Sequence, residues 1–132
     1  MSEELTVTLI WNDASDLDLQ VICPDGGRAG VAARGCGGGV LDVDANGYGS
    51  GGLRMMDRPV ENVRFGDSAP RGSYGIRVFI SAGYATSSGR DRARNFGPHP
   101  FRVRVHSRGG DQVFEGVHPG LGGPDVRFRF EH

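Results

Sequence analysis

Apolar and polar residues alternate along eight short stretches of the chain, at 5–11, 17–23, 28–34, 60–65, 73–80, 100–106, 112–117 and 126–130. Alternation sends successive side chains to opposite faces, so each stretch reads as a strand with one buried side. Turn-forming runs separate them: PDGG at 24–27, GCGGG at 35–39, NGYGSGG at 46–52, SAPRG at 68–72, SRGGD at 107–111 and HPGLGGP at 118–124. About eight such strands predict an all-β fold, an antiparallel β-sandwich of which the jelly roll is one arrangement. No internal repeat or linker divides the chain, so 1–132 reads as a single domain. Residues 85–98, which include the polar and aperiodic run SSGRDRARN at 87–95, are expected to form a mobile loop.

Within 17–21, Leu17, Leu19 and Val21 are expected to face the core, with Asp16, Asp18 and Gln20 on the other side. Leu41 and Val43 repeat the pattern against Asp42 and Asp44. The acids therefore gather on faces that the hydrophobic residues do not need.

The strongest chemical signal is D-V-D-A-N-G at 42–47, the first half of a calcium-loop pattern. Asp42, Asp44 and Asn46 can converge on one hard cation, and Gly47 allows the sharp turn that follows. The twelfth position is Leu53 rather than Glu, and no helices flank the loop, which excludes an EF-hand. A calcium loop on a β-scaffold remains. Its missing oxygens have to come from Asp13, Asp16, Asp18, Asp57, Glu61 or Asn62. The expected metal ligands are Asp16, Asp18, Asp42, Asp44, Asn46 and Glu61, holding Ca2+ through oxygen donors alone. Pairing of these acids with arginine, or simple solvation, are the alternatives.

The succession W-N-D-A-S-D-L-D-L-Q-V-x-x-P-D-G at 11–26, G-G-x-L-D-V-D-A-N at 38–46, P-V-E-N-V at 59–63, A-P-x-G-x-Y at 69–74 and H-P-F-R-V-R-V at 99–105 resembles the uncharacterised bacterial YfaP-type domains. The resemblance spans about residues 7–117. It implies a compact β-sandwich module without an established enzymatic activity, with Asp16, Asp18, Asp42, Asp44 and Glu61 as motif acids and Asn62 beside them. This chain has Gln20 where many members carry His.

Composition sharpens the class. Glycine supplies 23 of 132 residues, well above ordinary usage, but without the three-residue period of collagen. All 15 basic residues are Arg, and the net charge of −1 argues against a nucleic-acid binder. Residues 1–66 carry ten acids and five Arg, whereas 67–132 carry six acids and ten Arg. Arg102 and Arg104, with Arg127 and Arg129, would line one outer face if their strands shared a sheet. No apolar run is long enough to span a membrane. Cys23 and Cys36 are expected to be free thiols, because a turn at 24–27 pairs Cys23 with a residue near 29. That reading places the protein in the cytoplasm.

Other motifs weigh less. G-Y-G-S-G-G at 47–52 satisfies a dinucleotide pattern formally, but opens no helix. His99 and His118 each precede proline, a turn-like setting, and no nucleophile motif accompanies them. Tyr48, Tyr84 and Phe96 fall in loops and could stack on sugars. The expectation is a non-enzymatic, calcium-binding module with a structural or protein-interaction role, through a protein partner or self-association. A carbohydrate-binding module that meets a glycan with calcium support is the alternative, and a metal-dependent hydrolase follows it.

Overall fold

A computed structural model describes residues 5–13, 15–30, 36, 39–43, 60–66, 69–80, 93 and 95–132, with backbone alone at 40–43. Nine strands are present among them: β1 (Leu5–Trp11), β2 (Leu17–Ile22), β3 (Arg28–Gly30), β4 (Val40–Val43), β5 (Val60–Phe65), β6 (Ser73–Ile80), β7 (His99–Ser107), β8 (Gly110–His118) and β9 (Val126–Glu131). They form two sheets, one of order β4-β5-β1-β7-β8 and one of order β3-β2-β6-β9. Every pairing is antiparallel. The fold is an antiparallel β-sandwich. No helix among the described residues is long and apolar enough to cross a membrane.

The core is the set of inward parities that alternation selects. Leu5, Val7 and Leu9 of β1, Leu17, Leu19 and Val21 of β2, Val63 of β5, Val78 of β6 and Val103 of β7 are all fully buried. Each contributes about 1.5–3 kcal/mol relative to exposure. The Tyr74 ring stacks on Phe130 at 5.1 Å between centroids and meets Phe65 edge-on at 5.8 Å. Its hydroxyl donates to the Pro70 carbonyl, the geometry of a tyrosine corner. Between them Gly72 holds φ +142° and exchanges backbone hydrogen bonds with His132, which locks the end of β9 to the start of β6. The A-P-x-G-x-Y run is thus a corner that closes the sandwich.

Two expectations fail here. Cys23 and Cys36 are not free thiols but a disulfide, with Cα atoms 6.1 Å apart. Hairpin register was the wrong guide, because it says nothing of where Cys36 falls, and Cys36 lies against the turn at 24–27. Gly27 makes room for it: a Cβ there would stand 2.9 Å from that of Cys36. The arginine stripe is also divided. Arg102 and Arg104 lie on β7 in one sheet, and Arg127 and Arg129 lie on β9 in the other.

The disulfide closes a loop with a sequence separation of 13, for which chain entropy predicts about 3 kcal/mol of stabilisation. Thiol titration of the unfolded, unreduced protein should find no free sulfhydryl. Reduction, or a Cys36→Ser substitution, should lower the denaturant midpoint by the equivalent of that stabilisation. A midpoint indifferent to reductant would show that the bridge adds nothing.

Candidate metal centre

The turn from β1 to β2 is tied down by its own side chains. The Trp11 indole N–H donates to the Ser15 carbonyl at 2.8 Å. Asp13 Oδ1 accepts the Ser15 amide at 2.9 Å and also the Ser15 hydroxyl. Asn95 Oδ1 then accepts the Asp16 amide at 2.7 Å. These bonds deliver Asp16 to the first position before β2, and Asp18 follows two residues later on the same parity.

Among the described residues, β3 pairs with Gln20, Val21 and Ile22 of β2, and β6 runs along β2 from Leu17 to Ile22. Glu61 approaches Leu19 from β5 in the opposite sheet. Its parity is inward, shared with Val63 and Phe65, and its Oε1 accepts the Leu19 amide at 3.0 Å. The result is a cluster of Asp16, Asp18 and Glu61, each offering a carboxylate oxygen within 4.8 Å of the others. Asp16 and Asp18 are 2% exposed and Glu61 is 0% exposed. The two aspartates do leave the core parity, but the face they leave for is closed to water, which excludes simple solvation, one of the alternatives to metal binding.

Charge repulsion makes this arrangement demanding. At an effective dielectric near 20, two carboxylates this far apart repel by roughly 3–4 kcal/mol. Burial adds a desolvation cost to each ionised group. The cluster needs a proton or a positive charge to hold it. Its span suits a cation, since two oxygens bound at about 2.4 Å can lie no more than about 4.8 Å apart.

The other candidates divide. Asp42 lies on β4 where the register shifts between Leu41 and Val43, and Val43 pairs with Asn62, next to Glu61. Its side chain, with all of Asp44, Asn46 and Asp57, lies outside the described residues, as do Tyr48 and Tyr84. Asp13 is not in the cluster; it holds Ser15 and His99 instead. Asn62 turns the other way and accepts a hydrogen bond from Thr8 Oγ1 at 2.6 Å. Gln20 is nearly buried and accepts from Arg77 Nη1 at 3.1 Å, so this position serves the sheet face.

Asn95 and the two histidines were missed by sequence reasoning. His99 and His118 sit opposite each other across β7 and β8, 5% and 1% exposed, so the turn-like setting read from the following prolines does not hold. His99 Nδ1 meets Asp13 Oδ2 at 2.8 Å, and its Nε2 faces the Asn95 carbonyl at 3.2 Å. Burial pushes the Asp13 carboxyl up, but hydrogen bonds from Ser15 and His99 and the charge of His99 outweigh it and hold the group below its usual range. Asn95 is itself fully buried and also accepts the Leu121 amide at 2.8 Å. One residue thus connects the histidine pair to Asp16. An Asn at the end of a charged loop carries no sequence signal for that role.

No family model matches the chain, and no curated protein or solved structure does.

His118 generates a pH dependence. Its Nδ1 accepts the Gly120 amide at 3.0 Å, and its Nε2 has no hydrogen-bond partner among the described residues. Burial lowers its pKa, Asp125 partly opposes this, and His99 adds to it. The unfolded chain therefore takes up the proton first. Stability is full above about pH 6.5, falls as pH drops through that unfolded value, and levels off below the folded one. His118→Asn keeps an acceptor for Gly120 and does not titrate. Denaturant unfolding at pH 7.5 and 5.5 should show a smaller acid loss in this variant. Some loss remains, because burial and then Arg71 lower His132 in the same direction. An unchanged acid loss would show that His118 has no part in it.

Proposed function

We propose that this chain is a non-enzymatic, calcium-binding β-sandwich module in which the ion locks the two sheets together and presents the adjoining loops to a protein partner or a second copy. The observation that carries the reading is the convergence of Asp16, Asp18 and Glu61, buried and mutually within 4.8 Å. Oxygen donors without His or Cys favour a hard cation. Calcium takes six to eight oxygens, and Asp42, Asp44 and Asn46 would add theirs from the strand beside Glu61 and the segment after it. The likeness to YfaP-type domains belongs to the same proposal, since three of the acids it marks are the three that meet. Ligands this well sequestered leave little room for a substrate on the metal, which weighs against a hydrolase. The disulfide removes the thiol basis for cytoplasmic residence and favours an oxidising compartment.

Thermal melting of metal-stripped protein tests the proposal. Calcium at about 100 times its dissociation constant should stabilise the fold by about 2.7 kcal/mol, a rise of several degrees, with a smaller effect from magnesium. Glu61→Gln keeps an acceptor for the Leu19 amide but loses the charge. In EDTA this variant should melt higher than the parent, because repulsion is relieved, and it should lose most of the calcium increment. A variant that melts lower in EDTA, from a parent indifferent to both metals, would overturn the reading and make the acids partners of arginine.

A further inference from the structure

The outer face of the β3-β2-β6-β9 sheet carries a groove of about 680 Å³, within the range of small-molecule sites. Its floor follows from register. Arg28 pairs with Ile22, Ile22 with Gly75, and Gly75 with Arg129, so one row across four strands reads Arg-Ile-Gly-Arg. With strands about 4.8 Å apart, the two arginine Cα atoms stand roughly 14 Å from each other. Gly75 is the depression between them. A Cβ there would meet Ile22 side-chain atoms at 3.4–3.5 Å, ordinary contact, so neither backbone geometry nor a clash requires glycine. Pro24, Ser73 and Arg127 complete the rim.

The charges around the groove are unevenly committed. Arg77 commits its guanidinium to Asp125, at 2.6 Å, and to Gln20, and it lies over the Phe79 ring. Arg127 approaches the same Asp125 at 3.7 Å. Asp25 accepts the Gly27 amide, and Glu131 stands one row away opposite Ser73. The guanidinium groups of Arg28 and Arg129 are exposed and make no hydrogen bond or ion pair with any described residue. A guanidinium offers a planar fork of donors suited to carboxylate or phosphate, and here two of them face each other across an apolar floor.

We propose that this groove binds a small organic dianion, with one phosphate or carboxylate group on Arg28, the other on Arg129, and its spacer over Ile22 and Gly75. The site is separate from the acidic cluster: Asp18 and Ile22 are four residues apart on β2, about 13 Å. The test is calorimetric titration, in EDTA, with α,ω-bisphosphonates and α,ω-dicarboxylates of graded spacer length. Methylphosphonate and acetate serve as single-charge probes. The proposal expects an optimum spacer that binds about tenfold or more above the single-charge probes, with the two series showing whether phosphate or carboxylate is preferred. Arg28→Gln and Arg129→Gln should each weaken that ligand about tenfold or more. Gly75→Val, which fills the floor, should abolish binding, and Arg102→Gln on the opposite sheet should leave it unchanged. Absence of binding, equal affinity for single and double charges, or indifference to both Arg28→Gln and Arg129→Gln would overturn it. Because both arginines are exposed, their variants keep the test decisive even if the glycine variant fails to fold. Failure of the calcium reading would leave this result untouched, because the titration is run without metal.

Discussion

A backbone amide within a sheet must find an acceptor once water is excluded, and Leu19 finds its own in the opposite sheet. Glu61 of β5 reaches across the sandwich and takes the Leu19 N–H. This one hydrogen bond sets conditions for much around it. It requires a polar acceptor on the inward parity of β5, where Val63 and Phe65 otherwise fill the core. It also draws that carboxylate next to Asp16 and Asp18, which the bonded turn after Trp11 has already positioned. A neutral acceptor would have satisfied Leu19 without the repulsion. The choice of Glu at this point is understandable when the three carboxylates serve a shared positive charge.

Period-two alternation made the fold legible almost strand by strand. The stretches 5–11, 60–65 and 73–80 coincide with β1, β5 and β6, and the others differ at their ends, with 31–34 of the third lying outside the described residues. What alternation cannot encode is which strands become neighbours. That is why Arg102 and Arg129 looked like one stripe and lie on different sheets, and why Cys36 looked remote from Cys23 when the chain brings it back. Asp16, Asp18 and Glu61 were legible as ligand types from their clustering in sequence, yet not as a buried set. Parity tells that Asp18 leaves the core, but not whether that outer face meets water. Asn95 was illegible altogether, since its role depends on three partners that are distant or unremarkable in sequence: Asp16, His99 and Leu121.

Glycine has two different uses in this sandwich. At Gly27 it is a matter of space, because Cys36 occupies the volume a side chain would need; at Gly72 a positive φ and the approach of Pro24 both apply. Gly75 meets neither requirement. It sits in an ordinary strand conformation, where almost any residue packs better and β-branched ones best. Its smallness is visible only from outside, as the low point of the row between Arg28 and Arg129. A position whose identity folding does not explain directs attention to what the surface accommodates.

Strand β2 is restrained at both ends by different chemistry. Beyond its C-terminal end Cys23 is bonded covalently to Cys36, a restraint indifferent to pH and to metal. At its N-terminal end Asp16, Asp18 and Glu61 converge in a buried cluster that could hold a metal ion. A chain with 37% apolar residues has a modest core from which to draw stability, so such local restraints matter more than in a larger domain. Their inequality gives the sandwich a direction in which to loosen. Without a positive charge among them, the three carboxylates would repel one another at the N-terminal end of β2. At the other end the disulfide fixes the turn at 24–27, and the tyrosine corner closes β6 on β9. Such repulsion would therefore loosen β2 from its acidic end first.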